Sequence, residues 1–320
     1  MKPKVLITRK ILAEAMNYLQ EHVDYEIGAA DRTPTKQEII EKITDKEGLL
    51  CWLVDPIDKD VIDSARSLKI IANCAVGYDN IDIKEAKKRE ILVTNTPGVL
   101  TETTADLTWA LIFAVARRIP AADRFTREKR FRGWELELLL GKEITGKYLG
   151  IIGMGRIGKA VALRAQAFRM KIVYSDSQRL APEEEKKYKA TYLPLDELLS
   201  SADIITIHAT LTPQSLHLIS GEKIKLIKKD AILINVARGP IIDEKALSEA
   251  LEKKQIWGAG LDVYEREPEV EERLLSLDNV VLLPHIGSAS YETRLKMAMM
   301  AARNLVQGLS GEQPDNLVPY

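Results

Sequence analysis

The chain has 320 residues, enough for about two domains, and with 46% hydrophobic and 29% charged residues it reads as a globular protein with ample core. Lys and Arg number 46 against 47 Asp and Glu, a net charge of −1, so nothing points to nucleic acid or an anionic membrane as a partner. The longest apolar stretch, residues 109–116, is too short to span a bilayer, and Met1-Lys-Pro-Lys-Val has no apolar leader core, so no membrane contact and a cytoplasmic location are expected. Cys51 and Cys74 lie in apolar, strand-like runs and read as small buried hydrophobes. There is no CxxC, HExxH or clustered His/Cys set, so no metal site is expected.

In chain order, Val5-Leu-Ile7 is a short apolar strand. It is followed by Ile11, Leu12, Ala15, Met16 and Leu19 at helical spacing. Further strands are expected at Gly48-Leu-Leu-Cys-Trp-Leu-Val54, at residues 68–76 and at Ile91-Leu-Val-Thr-Asn95, the last stopped by Thr96-Pro97-Gly98. Strands separated by helix-length segments argue for a parallel, doubly wound sheet. After Gly98 the pattern changes. Thr101-Glu-Thr-Thr opens a long helix to Arg118 that is apolar on nearly all faces, hence buried in a core or against a partner subunit.

From Tyr148 a second alternation begins. A strand, Tyr148-Leu-Gly-Ile-Ile152, runs into Gly153-Met-Gly155-Arg-Ile-Gly158, then a helix over 159–168 and a strand, Lys171-Ile-Val-Tyr-Ser-Asp176, ending in an acid. The first glycine allows a tight turn, the second lets backbone approach a pyrophosphate, and the third lets helix pack on strand. The helix N-terminus offers N–H groups and a positive dipole end. Asp176 lies 18 residues past Gly158, close to the ~20 expected of a carboxylate that grips ribose hydroxyls. The pattern implies a dinucleotide site; a methyltransferase-type nucleotide site and a structural βα turn are the alternatives. Later strands are expected at residues 204–208, 231–236, 258–262 and 280–284. A last helix, near 292–309, carries Leu295, Met299, Ala302, Val306 and Leu309 on one stripe and has no strand after it. Its natural host is the first domain. Two similar α/β domains are therefore expected, the second inserted into the first with crossings near residues 98 and 288.

Three strand ends in the second half bring chemistry to one sheet edge, where open α/β sheets present their ligand crevice. They are Asn235-Val-Ala-Arg238-Gly239, Leu261-Asp262 through Glu267-Pro268, and Leu283-Pro284-His285-Ile-Gly287-Ser288. Arg can hold a carboxylate bidentately and polarise a keto oxygen. His exchanges a proton near neutral pH, and Glu orients the imidazole and stabilises its protonated form. Singly, Arg238 reads equally as a surface ion-pair partner, Glu267 as a solvated acid and His285 as a core histidine. Joint placement downstream of a dinucleotide site favours the reactive reading. Of the other histidines, His22 reads as surface, His208 as a strand end near the cofactor crevice and His217 as a loop residue, none with an acid and an arginine similarly placed.

With these residues in hand, the chain resembles the D-isomer-specific 2-hydroxyacid dehydrogenase family over essentially its whole length, most closely its glyoxylate/hydroxypyruvate reductase branch. The motifs that carry the resemblance are Val76-Gly77-Tyr-Asp-Asn80, Asn95-Thr-Pro-Gly-Val-Leu-Thr101 with Thr104-Ala105-Asp106, the glycine turn at 153–158, and the Arg238, Glu267 and His285 segments. The resemblance implies a Rossmann-type nucleotide-binding domain (99–287) inserted into a flavodoxin-like substrate-binding domain (1–98 and 288–320), with a homodimer built largely through the inserted domain. It implies Arg238 as the group binding the substrate carboxylate and carbonyl, Glu267 as the orienting acid and His285 as the proton donor/acceptor. Val76 and Gly77 backbone N–H groups, with Ser288, fall to a small 2-keto or 2-hydroxy acid. Gly153, Gly155, Arg156, Ile157, Gly158, Asp176, Thr104, Thr210, Thr212, Val236, Ala237, Asp262 and Gly287 fall to the cofactor. Trp134 either reaches toward the partner subunit's active site or is a plain interface or core anchor.

Two positions depart from the family pattern: Thr210 stands where relatives usually carry proline, and Arg169 where Gly or Asn is common at a helix end. Asp176 favours NAD(H) over NADP(H), because a carboxylate repels the extra phosphate; Ser177 and Arg179 soften that choice, so use of both is admitted. The expected reaction is reduction of glyoxylate or hydroxypyruvate. A D-3-phosphoglycerate or D-lactate type dehydrogenase is the alternative within the fold, although ending at Tyr320 leaves no room for the regulatory extension many phosphoglycerate enzymes carry. Formate dehydrogenases usually place Gln where Glu267 stands, and phosphite dehydrogenases a lysine where Val76 stands. An NAD(H)-sensing corepressor is the alternative from another class.

Overall fold

Short runs of β-branched and aliphatic residues, each followed by a helix, fold here into two all-parallel sheets. The computed structural model describes residues 1–30 and 32–319. The chain divides into two compact units, Met1–Leu100 with Ser288–Tyr320, and Thr101–Gly287. The first division falls after Leu100, where Thr101 opens the long helix.

The first unit holds β1 (Lys4–Arg9), β2 (Asp24–Ala29), β3 (Gly48–Cys51), β4 (Ile70–Asn73) and β5 (Leu92–Thr94) in the order β2-β1-β3-β4-β5. This is the flavodoxin-like order. β1, β3 and β4 are buried on both faces, hence their continuous apolar runs. β2 went unread in the sequence. It is an edge strand with one neighbour and mostly uncovered residues, so it lacks such a run. The Tyr291–Leu309 helix lays Met297, Ala298, Ala301, Ala302 and Leu305 on one face of this sheet, as its stripe requires. Cys51 and Cys74 are both buried in the unit and unbridged.

The second unit holds β6 (Tyr148–Ile152), β7 (Lys171–Ser175), β8 (Ala190–Tyr192), β9 (Ile204–Ile207), β10 (Ile232–Asn235), β11 (Gly258–Leu261) and β12 (Val280–Leu282). Their order, β12-β11-β10-β9-β6-β7-β8, reverses direction at β6/β9, the switch point of a Rossmann-type sheet. β8 is the second strand missed in the sequence, a three-residue edge. One face of the sheet is closed by the Thr101–Ala116 and Arg156–Ala167 helices, with Trp109, Leu111, Ile112 and Val161 in the core. The other face is filled by Leu198, Ile205, Leu233, Leu247 and their neighbours. Among the described residues no helix is long and apolar enough to cross a membrane.

Candidate active site

The glycine turn comes first, because β6 delivers it to the switch point. Gly153 has φ +92°, and a Cβ there would lie 2.6 Å from the Ala209 nitrogen. Gly158 sits inside the first turn of the Arg156–Ala167 helix, where a Cβ would lie 2.2 Å from the Gly153 oxygen. The helix therefore starts three residues earlier than expected, with Gly155 as its N-cap. Gly155 differs from its neighbours: a Cβ there meets nothing within 4 Å. The turn is thus packed on its protein side and open at the helix N-terminus, where Gly155 and Arg156 are exposed and Ile157 half-buried. That is the cradle a pyrophosphate needs.

Asp176 follows β7 and folds back over the turn. Its Oδ2 accepts from the Met154 N–H at 2.6 Å, and its Oδ1 from the Gln178 N–H at 3.3 Å and the Ser177 hydroxyl at 3.2 Å. Arg179 is held away by Glu185, its Nε and Nη2 donating at 2.9 and 3.1 Å. After β9, Ser215 ties the loop by donating to the Thr210 oxygen at 2.7 Å and accepting from the Thr212 N–H at 2.8 Å, leaving both threonines exposed. Thr104, buried on the long helix, donates to the Gly287 oxygen at 3.1 Å, joining two of the expected cofactor residues.

Arg238, Glu267 and His285 follow β10, β11 and β12. The buried Asn235 side chain shapes the first loop, donating to the Arg238 oxygen at 2.9 Å and accepting from the Ala237 N–H at 3.0 Å. Val236 is buried between them and Ala237 half-buried. Glu267 Oε1 accepts from the Tyr264 N–H at 3.1 Å, and its Oε2 stands 2.8 Å from His285 Nδ1. Burial works to raise the Glu267 carboxyl. The His285 hydrogen bond and charge, the Tyr264 N–H and the Arg238 charge together outweigh it, and the group lies below the usual carboxylate range. His285 has φ +54°, a left-handed conformation rare outside glycine, fixed on both sides. The Leu283 N–H donates to Leu261 at 2.8 Å, and the Ile286 N–H donates to Asp262 Oδ1 at 2.7 Å.

Asp262 is fully buried and its Oδ2 has no partner. Burial pushes its carboxyl up, with Glu267 adding in the same direction. A buried carboxylate oxygen without a donor is costly, so it invites an amide group from a ligand. Together with the open cradle at Gly155, this orphan oxygen makes the second unit fit a dinucleotide that carries an amide at its far end.

In the first unit, Val76 and Gly77 follow β4. Thr96 N–H donates to the Ala75 oxygen at 2.8 Å and Asn95 Nδ2 to the Val76 oxygen at 2.8 Å. In a trans peptide the N–H points opposite the carbonyl, so these bonds turn the Val76 N–H away from Thr96 and the Gly77 N–H away from the Asn95 side chain. Ser288 opens the second piece of this unit, half-buried. Trp134 is 82% exposed, so it is no core anchor of its own subunit.

Comparison with known proteins now decides the family. Residues 109–287 match the model described as D-isomer specific 2-hydroxyacid dehydrogenase, NAD binding domain. The chain belongs to that family. A glyoxylate reductase of Korarchaeum cryptofilum is 48% identical over 320 residues, covering 99% of this chain and 96% of that protein. One from Thermococcus onnurineus is 48% identical over 322 residues, with 99% and 96% covered. Among solved structures, a Thermus thermophilus protein has a TM-score of 0.92 at 42% identity, covering 99% of this chain and 100% of that one. An NADPH-dependent glyoxylate/hydroxypyruvate reductase of Sinorhizobium meliloti, in complex with NADP and malonate, gives 0.89 at 32%, covering 99% and 97%. As a 2-hydroxyacid dehydrogenase the chain is an oxidoreductase that uses a pyridine nucleotide.

Several residues that hold the candidate site together were not singled out from the sequence. Tyr264 donates its N–H to Glu267 and its hydroxyl to the Leu283 oxygen at 2.9 Å, linking the acid and histidine loops; burial pushes its phenol up to about 12. His217 stands 2.9 Å from Glu265, so a second histidine does have an acid beside it. The available signal was Tyr264's position between Asp262 and Glu267. His217 gave none, since Glu265 lies 48 residues away.

Proposed function

We propose that this protein reduces a small 2-keto acid, glyoxylate or hydroxypyruvate, to the D-2-hydroxy acid with NADH. The observation that carries the reading is the Glu267–His285 pair at 2.8 Å, set beside the Arg238 loop on consecutive strand ends. The glyoxylate reductases at 48% identity support it.

The nucleotide supplies the hydride when bound. Arg238 holds the substrate carboxylate and polarises the keto oxygen. Because Nδ1 of His285 faces Glu267, Nε2 is the atom that delivers a proton to the oxygen as it gains charge. Glu267, its carboxyl held below the usual carboxylate range, fixes the ring and stabilises its protonated form. The Val76 and Gly77 N–H groups and Ser288 are the further groups proposed to bind the substrate. Residues 101–287 hold the nucleotide: the glycine turn, Arg156 and Ile157 at the phosphates, Thr104, Thr210, Thr212 and Gly287 along its length, and Val236, Ala237 and Asp262 at the carboxamide. Asp176 on the turn supports NADH over NADPH. Trp134, Leu136, Leu140 and Phe131 form an exposed apolar arm, which supports a homodimer in which Trp134 reaches the partner's site.

The test is NADH oxidation over glyoxylate, hydroxypyruvate, pyruvate, phosphohydroxypyruvate and bulkier keto acids, with His285→Ala alongside. Glyoxylate or hydroxypyruvate should give the highest kcat/KM, and the variant should lose well over tenfold in kcat, about 1.4 kcal/mol of barrier, with NADH binding little changed. Preference for another keto acid, or activity retained in the variant, would refute it. Comparing kcat/KM for NADH and NADPH tests the cofactor preference, and light scattering tests the dimer.

A further inference from the structure

We propose that Glu244 is a positioning residue for the acid–histidine pair, acting by clamping the loop that carries Glu267. The inference rests on the reading that Glu267 and His285 work together. Glu244 is only 8% exposed and opens the Glu244–Glu252 helix. That helix does not need its carboxyl: Asp243 already caps it, accepting from the Ala246 N–H at 2.9 Å. Instead the Glu244 side chain turns to the 263–271 loop. Its Oε2 accepts from the Glu265 N–H at 2.7 Å and its Oε1 from the Glu271 N–H at 2.9 Å, so it grips the loop on both sides of Glu267.

The grip is returned. Glu265 Oε2 accepts from the Glu244 N–H at 3.2 Å, and Glu265 Oε1 stands 2.9 Å from His217 Nε2. His217 in turn donates its N–H to the Pro240 oxygen at 2.8 Å, just past Arg238. Gly239 closes the same seam, since a Cβ there would fall 1.9 Å from the Tyr264 carbonyl carbon. The Arg238 loop and the Glu267 loop are thereby held in one register. A buried carboxylate is tolerated only where its oxygens find donors, and here the donors are backbone groups of the catalytic loop. Loss of Glu244 lets Glu267 drift, and a misplacement on the order of 1 Å can cost as much as ~100-fold in rate.

The experiment uses the full-length enzyme with NADH and glyoxylate. Glu244→Gln should lower kcat on the order of 10-fold or more while KM for the keto acid stays within ~3-fold and the NADH Kd within ~2-fold. In a Glu267→Gln background the same change should cost less than ~2-fold, because the group it positions is gone. Glu265→Gln, which weakens only the returned bonds by removing one acceptor and the charge, should give a smaller loss that also vanishes in that background; it decides the matter if Glu244→Gln does not fold. Losses that multiply in the double variants, or a parental kcat in Glu244→Gln, overturn the proposal. A Glu267→Gln enzyme with parental kcat overturns instead the reading of the site on which it rests.

Discussion

Placing one methyl group in turn at the three glycines of the nucleotide turn should separate packing from binding. At Gly153 the backbone has φ +92° and the new Cβ would stand 2.6 Å from the Ala209 nitrogen and 2.7 Å from the His208 carbonyl carbon. A left-handed residue with a side chain costs about 1–2 kcal/mol and overpacking about 1–3 more, so Gly153→Ala should destabilise by about 2–5 kcal/mol. Gly158→Ala meets the Gly153 oxygen at 2.2 Å, and overpacking there should cost about 1–3 kcal/mol. Gly155 has φ −72° and ψ −160°, which any residue adopts, and empty space around it. There the gain of about 0.4–1 kcal/mol from a stiffer unfolded chain roughly offsets a poorer N-cap. Gly155→Ala should therefore melt within a few degrees of the parent in thermal denaturation without nucleotide. Its methyl stands at the helix N-terminus, where the diphosphate is proposed to rest, so the NADH Kd read by fluorescence should rise about 10- to 100-fold, or about 1.4–2.7 kcal/mol. Parental NADH affinity in Gly155→Ala, or an equal loss of stability in all three variants, would show that the turn does not cradle the diphosphate.

Three further outcomes follow from local geometry. Burial pushes the His208 imidazole down to about 3, with its Nδ1 lacking a partner and its Nε2 beside the Thr206 hydroxyl at 2.9 Å. Its folded value lies below the unfolded ~6.5, so its contribution is intact above that pH and is lost as the pH falls toward 3, about 2 kcal/mol by pH 5; His208→Gln should flatten that part of a stability–pH series, and an unchanged slope refutes the assignment. Arg169 ends the Arg156–Ala167 segment with φ +54°, so Arg169→Gly should gain about 1 kcal/mol, a rise of about 2–4 °C in melting temperature at unchanged kcat, and an unchanged or lower Tm counts against the strain. Glu185→Ala frees Arg179, which should raise the NADPH-to-NADH ratio of kcat/KM about 3- to 10-fold by adding a donor for the extra phosphate; an unmoved ratio means Arg179 has no part in cofactor choice.

What could be read in advance divides along physical lines. Both sheets were legible because their central strands, such as Ile70–Asn73 and Ile204–Ile207, are buried on both faces and so read as unbroken apolar runs. Asp24–Ala29 and Ala190–Tyr192 were not, since an edge strand half in solvent needs no such run. The helix after the glycine turn was placed late because Gly158 looks like a helix breaker, whereas it stands in the first turn for want of room beside the Gly153 oxygen. Arg238, Glu267 and His285 were proposed from their strand-end positions downstream of the glycine turn, and of these Glu267 and His285 stand 2.8 Å apart. Glu244, Glu265 and His217 could not be found that way: their bonds run mostly to backbone groups 21 to 48 residues away, and a carboxyl that serves a distant N–H leaves no local pattern. Arg179, named for its proximity to Asp176 as a residue that softens the cofactor choice, is hydrogen-bonded to Glu185, six residues on, a pairing that its position beside Asp176 does not reveal.

The two carboxyls of the β11 loop show how one short segment supplies two chemistries. Asp262 and Glu267 are five residues apart and both substantially buried, yet their proton affinities are pushed in opposite directions. The difference lies in what each faces. Glu267 has an imidazole at 2.8 Å, a backbone N–H at 3.1 Å and the charge of Arg238 in range, so burial loses and the charge is retained. Asp262 is more deeply buried, and the Ile286 N–H at 2.7 Å, the His285 charge and the Gly287 N–H do not outweigh that burial, to which the Glu267 charge adds. Divergent environments for neighbouring acids mark a division of labour. In the proposed reaction, the acid that keeps its charge is suited to stabilise a protonated His285, and the other, whose charge is disfavoured by burial, is suited to meet the amide of the nucleotide. Tyr264 stands between them in sequence and hydrogen-bonds the strand end before His285, so the nucleotide contact proposed for Asp262 and the proton transfer proposed for His285 would be mounted on the same few residues of backbone.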